Sequence, residues 1–457
     1  MSLSDGVGNS IFRFLPEVTL PKKRITLKKR IIWSGLMLAI YFILAELPVY
    51  GISGNQTDYF SGLRAIMAGE NGSLLTLGIG PVVTAGIIMQ LLAGSDIIKF
   101  DLSSHRGKAM FQGTQKVLAI VLCFFEAAIW IIGGAFGTSN STFLVVFMIL
   151  QLALGGILIL LMDEVVTKWG FGSGISLFIA ANVSQTLLWE ALSFAKSPIN
   201  PDEFIGAIPA FIKSFIAGQP VWVRGGILPD ITQVFFTIVV FLIVVYAEGM
   251  RLEIPLSYGK FRGARGRYPI KFLYASNIPV ILAAALFANV QLFARILNSR
   301  GITWLGTFNE FGGPKSGLIY YLTPPQSIEV LLNEPIRAVI YLVVFIALCA
   351  MFSVLWIDLT GMGSKEVAKK LQGSGMQIPG FRRDIRILEK VLDRYIPPIT
   401  LMGGIFVGLL AAFADFTGAL GTGTGILLTV GIVYRLYEEL AKEQVSELMP
   451  GMRQFLG

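Results

Sequence analysis

The 457 residues are 54% hydrophobic and 14% charged, with a mean hydropathy of +0.69, where a soluble protein carries about 25% charged residues. That balance excludes a soluble globular domain and describes a chain that crosses a membrane many times. The formal charge of +8 would suit a nucleic-acid binder, but the basic residues follow membrane topology instead, and two cysteines inside apolar runs (Cys123, Cys349) with a lone His105 exclude a disulfide framework and a thiolate metal site.

In chain order, residues 1–30 form a basic amphipathic segment without a small-residue cleavage site, so the apolar run after it reads as a retained first helix. Crossing a bilayer takes about 20 mostly apolar residues. Ten runs qualify: 31–50, 74–93, 116–136, 142–162, 172–192, 231–249, 271–293, 336–357, 398–415 and 424–440. The sequence therefore predicts an all-α polytopic membrane protein with ten transmembrane helices. Its first half spans 31–192, an outer loop 193–228, its second half 229–440 and a tail 441–457. Loops 250–271 and 357–396 fall on the same side as the N-terminus, and that side collects 29 of the 37 Lys and Arg residues. The bias places both termini in the cytoplasm.

The two halves look alike. Gly80-Pro81 weakens the second span and Ile278-Pro279 opens the seventh, each the second of its five. The fifth span opens GFGSGI (170–175) and the tenth GTGTGI (421–426). Five is odd, so the second half runs through the membrane upside down. A single membrane glycine is explained by close helix packing, but matched weak points in inverted halves mark a functional interface between them.

Chemistry is sparse. Gly172-Ser173-Gly174 resembles a nucleophile turn, yet no span holds a histidine to act as base. There is no HExxH helix, and the run 421–425 lacks the Lys-Ser/Thr of a phosphate loop. The sequence thus argues against an enzyme and calls for no cofactor and no metal. Glu46, Glu126 and Asp415 lie inside spans, with Glu164 and Glu248 near span ends. Glu126 is the most central, and a proton-coupled secondary transporter of a small solute centred on it is the alternative reading. Against that stand the basic loops. Arg262, Arg265 and Arg267 interleave with glycines, and 357–396 carries Lys365, Lys369, Lys370, Arg382, Arg383, Arg386, Lys390 and Arg394. The positive-inside rule and anionic lipid explain part of this charge; arginine forks of this kind also suit a phosphate backbone, hence an RNA-bearing cytoplasmic partner.

The stretches PEVTLP (16–21), TLGIGPVVTAGIIMQLL (76–92), GFGSGISLFIAANVSQT (170–186), RYPIKFLYASNIPVILAAALFANVQL (267–292), the GFRR turn at 380–383 and GTGILLTVGIVYRLYEEL (423–440) closely resemble the archaeal-type SecY family. That family supplies the central subunit of the Sec protein-conducting channel. The resemblance runs over nearly the whole chain and is weakest in loops 193–228 and 294–333. It implies an hourglass channel that secretes polypeptides across the plasma membrane and releases hydrophobic segments sideways into lipid. Carried over by motif, a pore ring falls on Ile79, Val83, Phe171, Ile175, Ile281 and Leu428, with Phe171 standing where a smaller aliphatic is usual. Lateral-gate polar residues fall on Thr84, Glu126 and Asn289; many relatives carry an uncharged amide in place of Glu126. A plug segment, about 58–69, presents Tyr59, Phe60, Leu63, Arg64, Ile66 and Met67. Ribosome docking falls on Arg262, Arg265, Arg267, Arg382 and Arg383. Implied partners are SecE/gamma-type and beta-type small membrane subunits, the ribosome through its RNA, nascent secretory and membrane polypeptides, and lipid.

Overall fold

The computed structural model describes residues 16–23, 25–52, 67–94, 97–98, 104–133, 136, 141–197, 203–218, 221–224, 228–258, 265–275, 277–309, 313–325, 328–373, 376–377 and 384–448. Ten long helices carry the fold: α1 Leu27–Glu46, α2 Gly80–Gly94, α3 His105–Ile132, α4 Thr142–Trp169, α5 Gly174–Leu192, α6 Ile231–Gly249, α7 Ile278–Ser299, α8 Pro335–Thr360, α9 Ile396–Phe416 and α10 Gly423–Leu448. Helices α3 to α9 are each long and apolar enough to cross a membrane. Helix α1 opens on Lys28, Lys29 and Arg30, and α10 continues into a polar stretch from Arg435. Outward-facing Phe143, Val146 and Leu150 on α4, and Val339 and Val343 on α8, leave apolar side chains exposed as a lipid-facing surface requires. The protein is a multi-pass membrane protein.

Packing repeats between the halves. Helix α3 lies on α2 and α4 as α8 lies on α7 and α9, while α2 meets α7 and α8, and α10 meets α5, across the divide. Each half also buries its one cysteine against glycine. A Cβ on Gly156 would stand 2.8 Å from Cys123 Sγ, and one on Gly408 3.0 Å from Cys349 Cβ. Glycine here brings helix axes together, which replaces the hydrophobic drive that lipid does not provide.

Two segments differ from the sequence reading. The second span is not helical until Gly80, because residues 71–79 run as turns. Loop 250–271 is a hairpin rather than an irregular loop: β1 (Arg251–Tyr258) pairs antiparallel with β2 (Arg265–Lys271), Ile254 opposite Tyr268, and Met376–Gln377 adds a short third strand. Pro255, Gly266 and Pro269 masked its period-two pattern. Ile254 and Ile270 point into a small core with Ile357, Val367, Leu371 and Leu388, so the two basic loops fold as one unit. Its base is tied to α10, where Glu438 pairs with Arg251 at 2.7 Å and with Lys271. On the same side, the chain at 16–19 is held by Lys116, Lys168 and Trp169, whose side chains donate to the carbonyls of Pro16, Val18 and Thr19.

Gly155 separates packing from propensity. A Cβ there would lie 1.9 Å from the Leu74 carbonyl oxygen, whereas Gly35 has open space around it. Gly155→Ala is expected to cost about 3 kcal/mol, read as a lowered thermal midpoint in detergent, and Gly35→Ala to leave the midpoint unchanged or raised.

Candidate channel constriction and gate

The start of α2 is shaped by a fold-back. Gly78 adopts φ +54°, and a Cβ there would fall 2.0 Å from the Met67 carbonyl oxygen, so only glycine fits. That oxygen accepts the Ile79 N–H at 2.8 Å. Pro81 then costs nothing, because a first-turn residue needs no N–H donor. The fold-back leaves Ile79 and Val83 buried, one turn apart. Leu428 of α10 is fully buried, and Ile175 of α5 and Ile281 of α7 are half-buried against the same apolar core. Ile79 and one residue from each of four helices, from both halves, thus join one cluster. Asn277, just before α7, donates through Nδ2 to the carbonyls of Leu427 and Leu428, both at 3.3 Å, and so ties α7 to α10.

Phe171 stands apart from that cluster. Its ring lies 5.9 Å from the Arg30 guanidinium of α1, and its N–H donates to Ser34 Oγ at 3.0 Å.

The three polar positions expected at the gate converge. Asn289 of α7 donates to Thr84 Oγ1 of α2 at 2.9 Å, and Thr84 donates to the Gly80 carbonyl at 2.8 Å. Glu126 of α3 is 5% exposed and lies beside Thr84. Its Oε2 would be 3.1 Å from a Cβ on Gly80, and its Oε1 meets no donor among the described residues. Residues 84, 126 and 289 therefore form one polar spot where α2, α3 and α7 meet.

Of the plug positions, Met67 is described and buried, with its Cε 2.9 Å from where a Gly80 Cβ would be. Tyr59, Phe60, Leu63, Arg64 and Ile66 lie outside the described residues, as do Arg262, Arg382 and Arg383. Arg265 opens β2 opposite Ser257, and Arg267 is exposed, 2.5 Å from Glu253. Beyond the hairpin, burial pushes the Tyr274 hydroxyl up from its ordinary range while it donates to the Met362 carbonyl at 2.9 Å. At the opposite end of α8, hydrogen bonds from Tyr320 and then Arg337 hold the Glu334 carboxyl below the usual range. Among α5, α6 and α10 runs an apolar groove of about 640 Å³, lined by residues including Val183, Leu187, Phe241, Val245, Val430 and Tyr434.

The model of the SecY family matches residues 73–437, and that of the plug domain of Sec61p matches 40–72. The chain belongs to the SecY family. It is 53% identical to the protein translocase subunit SecY of Pyrococcus furiosus, over 97% of both chains. A solved structure of a protein-conducting channel superposes with a TM-score of 0.86 at 47% identity, covering 97% of this chain and 98% of that one. Sec61 in the canine ribosome–channel complex from the endoplasmic reticulum gives 0.83 at 47% identity, with the same coverage. SecY membership sets the solute-carrier alternative aside, and the ten helices in two inverted halves are those of this family. Sequence reasoning missed Asn277, Ser34 and Asp163, whose partners lie across turns or on other helices; only the polar type of each inside an apolar context could have signalled them.

Asn289→Leu removes the donor to Thr84 and is expected to weaken the α2–α7 contact by about 1 kcal/mol. The labelling rate of a single cysteine that this contact shields, read with a thiol reagent in the resting protein, should then rise about fivefold with the open population.

Proposed function

We propose that this SecY-family chain is the pore-forming subunit of a protein-conducting channel in the plasma membrane, with both termini cytoplasmic. The carrying observation is that Ile79, Val83, Ile175, Ile281 and Leu428, from both halves, share one apolar core. A passing polypeptide presents every kind of side chain, so its constriction should bind none strongly. Aliphatic side chains seal by dewetting and part without leaving a charge unpaired.

Beside the ring, Thr84, Glu126 and Asn289 mark a lateral gate between α2–α3 and α7–α8. A signal segment leaving water gains about 0.8 kcal/mol per CH₂, enough to shift a gate balanced within a few kcal/mol. Residues 58–69 act as the plug; the contact of Met67 with the start of α2 and the family match over 40–72 support this. The hairpin unit carrying Arg262, Arg265 and Arg267, with Arg382 and Arg383, docks ribosomal RNA, in keeping with the channel relative solved on a ribosome. The groove among α5, α6 and α10 holds the membrane helix of a SecE/gamma-type subunit. Its apolar lining and its position where α5 and α6 join the two halves favour a brace that lets them hinge. A beta-type subunit completes the trimer, and nascent chains are the cargo.

Replacing Ile79, Val83 and Ile281 together by glycine should raise ion conductance in planar bilayers and admit defective signal sequences; native conductance contradicts the reading. Arg265→Ala with Arg382→Ala should weaken cosedimentation with ribosomes and flatten its salt dependence by about two contacts.

A further inference from the structure

Two acidic side chains are used by neither ring nor gate, and they occupy equivalent places in the two halves. Asp415, at the end of α9, is buried. Its Oδ1 accepts the Thr424 N–H at 2.9 Å, and its Oδ2 accepts the hydroxyls of Thr424 at 2.7 Å and Tyr341 at 3.3 Å. Asp163, near the end of α4, accepts the Ile175 N–H at 2.9 Å and the Ser173 hydroxyl at 3.3 Å through Oδ1. Ser173 and Thr424 hold the same fourth place in GFGSGI and GTGTGI. In each half, then, the fourth helix sends one carboxylate to the opening of the fifth. Glycine makes both approaches possible. A Cβ on Gly174 would stand 2.5 Å from Asp163 Cα, and one on Gly423 would stand 2.0 Å from the Ala414 carbonyl carbon.

The first N–H groups of a helix have no partner within it, and a bilayer offers them no water. A carboxylate satisfies them and suits the positive end of the helix dipole. Here the helices so held carry the ring. Ile175 donates its own N–H to Asp163, and Leu428 lies one turn beyond Thr424. Because the halves are inverted, α5 and α10 start on opposite sides of the membrane, so the two brackets grip the constriction from both ends.

We infer that Asp163 and Asp415 are a symmetry-related pair of positioning residues that set the height and rotation of α5 and α10, and thereby keep Ile175 and Leu428 in the seal. This rests on the ring reading above. Without either carboxylate the opening of its helix loses its anchor, and the resting channel leaks.

The test is resting ion conductance of the intact channel complex in planar bilayers. Asp163→Leu and Asp415→Leu are each expected to raise it about tenfold, the equilibrium equivalent of a lost buried hydrogen bond to a charged group. Asp163→Asn and Asp415→Asn, which keep an acceptor oxygen, are expected to rescue it to near-native values. Thr424→Val should add nothing on top of Asp415→Leu. Ser353→Ala serves as the control for general loosening, since it removes a buried bond from Ser353 Oγ to the Thr400 carbonyl between α8 and α9, at 2.9 Å, without touching α5 or α10; it should not leak. If the leucine variants are not recovered from membranes, Ser173→Ala and Thr424→Val carry the test with a smaller rise. Native conductance in the bracket variants while glycine ring variants leak overturns the inference alone, as does an equal leak from Ser353→Ala. Silence from the ring variants too overturns the ring reading itself and the inference with it.

Discussion

Inside a bilayer a polar group finds no water and must be satisfied by the protein, and the centre of this chain is organised around the few such groups it keeps. Asn289 meets Thr84 beside Glu126, Asn277 holds the carbonyls of Leu427 and Leu428, and Asp163 and Asp415 hold the openings of α5 and α10. Each of these contacts joins helices rather than residues of one helix. Beside them Ile79, Val83, Ile175, Ile281 and Leu428 share one apolar core. Fixed polar points around soft apolar contacts are what the proposed reversible seal requires.

The energies are matched to that task. One neutral hydrogen bond between α2 and α7 is worth about 1 kcal/mol net, comparable to moving one or two methylenes of a passenger out of water. The proposed seal presents no charge to be exposed when it parts. Elsewhere the molecule is more firmly joined. The hairpin unit is fastened to α10 through Glu438, Arg251 and Lys271, so a load on that unit bears directly on a helix that also carries Leu428.

Much of this was legible in the amino-acid sequence. Ten apolar runs gave the spans because a hydrocarbon core sets their length, and the paired GFGSGI and GTGTGI openings gave the inverted repeat. Ile79, Val83, Ile175, Ile281 and Leu428, named by motif, do share one core, and Thr84, Glu126 and Asn289 do meet. What hydropathy missed depends on contacts between distant residues. The start of α2 moved to Gly80 because Ile79 bonds to Met67. The hairpin hid behind Pro255, Gly266 and Pro269. Asp163 reads as an ordinary charge near the end of a span until the turn at 170–173 returns the chain to it. The motif put Phe171 among the ring residues, but the structure packs its ring under Arg30, a contact with the first helix that no local pattern encodes.

Crosslinking from a stalled secretory nascent chain to single cysteines at positions 79, 83 and 281, with lipid-facing Val146 and Leu150 as references, tests the central claim most directly. Efficient crosslinks to the first three and none to the references are predicted. Crosslinks to the outer positions, or none to the three, would contradict a passage through this constriction.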